Sequence, residues 1–158
     1  MRQVTLGYLV RGDEVLLAMK KRGFGAGKWN GFGGKLEAGE TLEQGLVREA
    51  QEELSVTPRS FRKLAVIDFE FPEVPAEDGW NQQVHVYLCD TWDGTPKESE
   101  EMAPKWFSLA ALPYGELWSS DVLWLDRVVN GEPVAGSVTF AGRGERVLGF
   151  QERPATGW

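Results

Sequence analysis

The chain has 158 residues, 17 Lys and Arg against 24 Asp and Glu, a formal charge of −7, and 42% hydrophobic residues. That length and balance predict one globular domain over residues 1–158, and the acidic field argues against a nucleic-acid polymer as partner. No apolar run approaches a membrane span and the first residues, Met1 to Val4, carry no signal-peptide pattern, so the expectation is no membrane association. The one cysteine, Cys89, cannot form an internal disulfide, which suits a reducing cytoplasm. The one histidine, His85, lies in an alternating run from Gln83 to Leu88 and reads as a strand residue, so His/Cys zinc sites are excluded by inventory.

In chain order, Val4–Val10 and Val15–Met19 read as strands joined by the polar turn Arg11 to Glu14. A glycine-dense stretch from Gly23 to Gly39 follows, then a helix over Thr41–Leu54. Thr41 and Gln44 form a capping-box pattern, and Leu42, Leu46, Ala50 and Leu54, with Val47, give one apolar stripe. Lys63–Phe71, Gln83–Cys89 and Lys105–Leu109 read as strands, with the acidic, Pro-containing stretch 72–79 as a loop. Asp121–Val129 reads as a second helix capped by Ser119 or Ser120, and Val134–Arg153 as a closing hairpin. Hairpin-connected strands interspersed with helices predict an α/β sandwich with mixed sheets.

Three features carry chemistry. Lys20, Lys21, Arg22, Lys28 and Lys35 form a basic cluster with no acid before Glu37, suited to phosphate despite the acidic whole. Gly31-Phe32-Gly33-Gly34-Lys35 allows close backbone approach to a ligand; it is not a Walker loop, because Trp29 and Leu36 stand where that motif requires Gly and Ser or Thr. Glu49, Glu52 and Glu53 share one helix face at i, i+3 and i+4. Like charges at that spacing disfavour a helix by roughly 0.2–0.5 kcal/mol per pair, and Glu52 and Glu53 stand at the end where the dipole also disfavours anions. A divalent cation reverses both penalties, since hard carboxylate oxygens are what Mg²⁺ selects; a solvated acidic face is the alternative.

Gly34, five residues, Glu40, seven residues, and then Arg48-Glu49-Ala50-Gln51-Glu52-Glu53-Leu54-Ser55-Val56 resembles the Nudix box, here spanning 34–56. Ala50 replaces a larger aliphatic and Ser55 the terminal glycine. The run from Lys20 to Lys35, Phe69-Glu70-Phe71, Gly94-Thr95-Pro96, and Trp118 with Asp121 are similar to the vertebrate MutT-homologue branch of that family. The resemblance implies a Nudix fold, with mixed sheets sandwiched between helices, and Mg²⁺-dependent hydrolysis of oxidised purine nucleoside triphosphates to monophosphate and pyrophosphate, with Mn²⁺ as an alternative metal. It implies Glu49, Glu52 and Glu53 with the Gly33 carbonyl as ligands, Glu101 as a further metal contact or base, and Arg48 as the group orienting the acids. Thr5, Lys20, Asn30, Phe32, Gly33, Gly34 and Lys35 are implied to line the substrate site. Phe24, Phe69, Phe71 and Trp118 are candidate aromatic faces, with ordinary core packing the alternative for each; only one of Phe69 and Phe71 is expected to reach ligand. Ser120 and Asp121 complete the set.

Where the branch carries two adjacent aspartates, this chain has Ser120-Asp121, so proton sharing between carboxyls is lost. The lone Asp121 is expected in one dominant protonation state, with a narrower purine range. Gln82 stands at an otherwise apolar pocket position. The partner expected is a small nucleotide and the protein a monomer. Hydrolysis of another nucleoside polyphosphate, or nucleotide binding without catalysis, are the competing readings.

Overall fold

A computed structural model describes residues 1–23 and 25–158. Among the described residues there are nine strands, β1 (Arg2–Arg11), β2 (Glu14–Lys20), β3 (Trp29–Asn30), β4 (Phe32–Lys35), β5 (Thr57–Glu70), β6 (Gln82–Asp93), β7 (Met102–Ser108), β8 (Val134–Ala141) and β9 (Arg146–Arg153), and two α-helices, α1 (Leu42–Leu54) and α2 (Asp121–Val129). The main mixed sheet runs β4-β1-β6-β5-β8-β9, with β1–β6 and β5–β8 parallel and the other pairs antiparallel. β2 pairs with β3 and β7 in a second, antiparallel sheet, joined to the first through the β1–β2 turn at Val10–Val15.

Strand alternation sorts the core into two layers. On β6, Val84, Val86 and Leu88 pack with α2 residues Trp124, Leu125 and Val128. Tyr87 and Cys89 face the other way, with Leu46, Ala50 and Leu54 of α1. The two helices therefore cover opposite faces of one sheet. His85, on the α1 side, is held by Gln3 at 2.6 Å and Lys63 at 3.0 Å; burial, then the Lys63 charge, push it down to about 4, so it is a neutral structural residue. Among the described residues, no helix is long and apolar enough to cross a membrane.

Thr41 caps α1 with the full reciprocal box: its Oγ1 accepts from the Gln44 amide at 3.1 Å, and Gln44 Oε1 accepts from the Thr41 amide at 3.0 Å. The glycine stretch contains two short strands, β3 and β4. β4 exists through tertiary pairing rather than propensity: Gly33 lies opposite Leu6, with φ 144° and so little space that a Cβ would fall 2.0 Å from the Thr5 carbonyl oxygen. Ser120 differs from the expected capping role. It occupies the cap position of α2 in helical conformation and makes no capping bond, while Ser119 Oγ donates to the Gly144 carbonyl at 3.0 Å.

Ser55 ends α1 in the left-handed region, φ 61° and ψ 33°, with its amide bonded to the Ala50 and Gln51 carbonyls. An L side chain there costs roughly 1–2 kcal/mol that glycine avoids. Ser55→Gly should therefore stabilise the protein by about 1 kcal/mol and raise its melting temperature by roughly 2–4 °C. An unchanged or lower melting temperature by calorimetry would show that the serine side chain compensates for the strain.

Candidate active site

The acidic face of α1 meets the glycine strand β4. Glu53 is buried between the core residues Ala50 and Leu54, only 2% exposed, and its Oε1 accepts from the Gly33 amide at 3.1 Å. Burial first, and the neighbouring Glu49 charge second, push its carboxyl up to about 9; Glu101 adds to the push and the Gly33 amide opposes it. Glu49 lies against the same strand, where a Cβ on Gly34 would sit 2.9 Å from Glu49 Oε1. Glycine at 34 is thus what lets Glu49 approach the backbone so closely, and glycine at 33 is what lets β4 lie against β1.

Arg48 ties this arrangement together. Its Nε donates to Glu40 at 2.6 Å, one terminal nitrogen to Glu49 at 3.0 Å and Glu52 at 3.2 Å, and the other to the Lys35 carbonyl at 3.2 Å and Glu40 at 3.0 Å. The Arg48 hydrogen bonds, with the Glu37 amide, hold Glu40 below the usual carboxylate range. Glu40 had no role assigned from sequence beyond its place in the box, yet it anchors the guanidinium that spans loop and helix. Glu101 is half exposed and pairs with Arg22 at 3.6 Å.

The donor set suits a hard divalent cation: carboxylate oxygens gathered beside an acid that burial first, and neighbouring acids second, hold protonated. Among the described residues, however, no three carboxylates converge on one point. Glu52 reaches back to Arg48 and Glu101 out to Arg22, so both side chains must turn to share an ion with Glu49 and Glu53.

Beside this face opens a cleft of about 350 Å³. Gly33, Gly34, Lys35 and Lys20 form its edge toward the acids; Thr5, Asn30, Phe69, Trp118 and Asp121 also line it. Asn30 is oriented by its Nδ2 donating to the Lys28 carbonyl at 3.0 Å, and Thr5 Oγ1 stands 3.5 Å from the Gly34 carbonyl. The basic cluster is divided rather than gathered: Lys21 pairs with Glu98, and Arg22 with Glu100 and Glu101.

Three candidates do not reach the cleft. Phe71 is core, stacked on Phe140 with centroids 4.8 Å apart, while Phe69 two residues earlier lines the opening. Phe32 points beneath β1, toward Leu46 of α1, filling the space that a side chain at Gly7 would need. Ser120 is fully buried, and its Oγ has no hydrogen-bond partner among the described residues. Phe24 lies outside the described residues.

Asp121 is buried at the cleft floor. Burial pushes its carboxyl up to about 7, opposed by the Trp118 backbone and the Lys28 charge. Sequence reasoning also missed Tyr8, Trp80 and Trp124, which line the cleft from strand, loop and helix. Their ordinary apolar periodicity gave no signal separating them from core.

A family model described as NUDIX domain matches residues 1–128. The chain is 43% identical over 140 residues to the oxidized purine nucleoside triphosphate hydrolase of Danio rerio, covering 88% of this chain and 86% of that protein. It is 42% identical over 139 residues to the Mus musculus protein of the same name, with the same coverage. A crystal structure of a MutT protein from Bacillus halodurans superimposes with TM-score 0.80 at 22% identity, over 98% of this chain and 99% of that one, a likeness of fold.

A carboxyl whose folded pKa lies above its unfolded value contributes most at low pH, and that contribution is lost as pH rises through the folded pKa. For Glu53 the window runs from 4.5 to about 9. Without divalent cation, the melting temperature of Glu53→Gln should therefore rise relative to wild type as pH is raised across that window. Mg²⁺ should then stabilise wild type more than the variant. A difference between the two proteins that is flat with pH would refute the buried, cation-seeking assignment of Glu53.

Proposed function

The chain belongs to the Nudix family, and on that premise we propose that it hydrolyses oxidised purine nucleoside triphosphates to nucleoside monophosphate and pyrophosphate, removing damaged nucleotides from the pool. The observation that carries this reading is one juxtaposition: an aromatic-walled cleft with a buried carboxyl at its floor opens beside the glycine strand that packs against the acidic helix. The names of the Danio rerio and Mus musculus relatives support the same substrate class. The whole chain acts as one domain, as a monomer in the cytoplasm, on a small nucleotide; the buried free thiol of Cys89 is consistent with a reducing compartment.

In this reading, Phe69 and Trp118 hold the base by its faces, and Asn30 and Asp121 hydrogen-bond its edge. Lys20 and Lys35, at the cleft edge, take the phosphates. Glu49, Glu52 and Glu53, with the Gly33 carbonyl and Glu101, are the groups to hold Mg²⁺ or Mn²⁺. The ion supplies neutralisation of phosphate oxygens and an activated water when bound. Arg48 keeps Glu49 and Glu52 beside Glu53 rather than splayed by repulsion. Glu101, exposed on the loop ahead of β7, would be the group that accepts a proton from water.

A second reading, hydrolysis of a different nucleoside polyphosphate, draws on Gln82, a polar group on the cleft wall, and on Ser120, which leaves Asp121 without an adjacent carboxyl. Pyrophosphate release from oxidised and normal guanine and adenine triphosphates with Mg²⁺ separates the readings. The expected result is preference for an oxidised purine over its normal counterpart; equal rates favour the second reading, and no release from any of them a silent binding module. Glu53→Gln should lower kcat by orders of magnitude with the fold retained. Lys20→Ala should raise KM for all triphosphates by a similar factor, whereas a loss confined to one base would put Lys20 in the base pocket.

A further inference from the structure

Ser120 is buried away from the cleft, so Asp121 has no adjacent side chain with which to read a base. The floor nevertheless holds a second hydroxyl-bearing group. Tyr8, on β1, is 2% exposed and lines the same cleft as Asp121, Gly31 and Trp124. Its ring stands edge-on to Trp124, centroids 6.4 Å apart, and Gly31 approaches it so closely that a Cβ there would meet the ring at 3.0 Å. The indole Nε1 of Trp124, on the same floor, is buried with no hydrogen-bond partner among the described residues. A polar floor with an unpartnered donor is one that a ligand completes.

We propose that Tyr8 is a specificity-determining residue that reads the purine edge together with Asp121, supplying from β1 the second hydrogen-bonding group that Ser120 does not. This rests on the oxidised-purine reading above and names how that reading is achieved. The two groups feel each other: burial and the Asp121 charge hold the phenol protonated, against an opposing backbone interaction with Gly31. Tyr8 is therefore a fixed donor beside a carboxyl that donates or accepts according to its own proton. A purine that presents an acceptor to the phenol and a donor or acceptor to the carboxyl satisfies both. A base lacking that pattern leaves a buried polar group unpaired, the situation in which sites discriminate most strongly. Trp124 packs edge-on against the tyrosine ring in the same cleft lining.

Tyr8→Phe deletes only the hydroxyl. In the purified full chain with Mg²⁺, kcat/KM for the preferred oxidised purine triphosphate should fall about tenfold, mainly through KM. The oxidised-to-normal ratio should fall with it, and rates on pyrimidine triphosphates should change less than about twofold. If wild type discriminates and Tyr8→Phe discriminates equally well, Tyr8 is a packing residue and the proposal falls while the function stands. If wild type shows no oxidised-purine preference, both fall. Should melting curves show that Tyr8→Phe does not fold, 3-fluorotyrosine at position 8 keeps the shape and strengthens the donor. A changed base ratio with it supports the assignment, and an unchanged ratio overturns it.

Discussion

The constraint on which this structure turns is a carboxyl group kept where water scarcely reaches it. Glu53 sits on the core side of α1, where the helix would otherwise present only Leu46, Ala50 and Leu54. Burying an acid among apolar neighbours is unfavourable unless something receives it. The Gly33 amide does so directly, while the guanidinium of Arg48 engages the neighbouring acids Glu49 and Glu52. The glycines, the arginine and the acids form one electrostatic unit, and changing any of them leaves the others mismatched.

The cleft is built by the same economy of atoms. Because Gly33 and Gly34 offer no Cβ, the strand that contacts the acids also forms the cleft edge. The cleft and the acidic helix thus share one piece of backbone, with Gly33 and Gly34 lining the first and lying against Glu53 and Glu49 of the second. The opposite faces of the main sheet divide the work: α1 carries the acids, and α2 opens with the acid at the cleft floor.

Much of this was legible in the sequence where local chemistry decides. The capping box and the apolar stripe marked α1 to within a residue, and alternation marked β1, β2, β6 and β8–β9. The spacing of Glu49, Glu52 and Glu53 placed them on one face. What was not legible depends on distant partners. β4 has three polar or glycine residues in four, and becomes a strand only because β1 lies beside it. Phe69 and Phe71 both pack on Phe140, and only the position of Phe71 beyond the end of β5, buried in the core, separates it from Phe69 at the cleft. Ser120 reads as a capping residue but is carried inward by the turn that docks Trp118. Tyr8 reads as core, and only the arrival of Asp121 from the far end of the chain makes its hydroxyl chemically interesting.

That last pairing orders events in time as well as in space. The acidic helix, its arginine and the glycine strand all come from the first third of the chain, and their mutual contacts join neighbouring segments. Another part of the cleft lining is different: Asp121 and Trp118 come late, and Ser119 beside them is held by the Gly144 carbonyl from the closing hairpin. Chains emerge from the ribosome N-terminus first. The acidic helix and the glycine strand are therefore synthesised before Trp118 and Asp121, and the cleft beside them is complete only once the later part of the chain has docked.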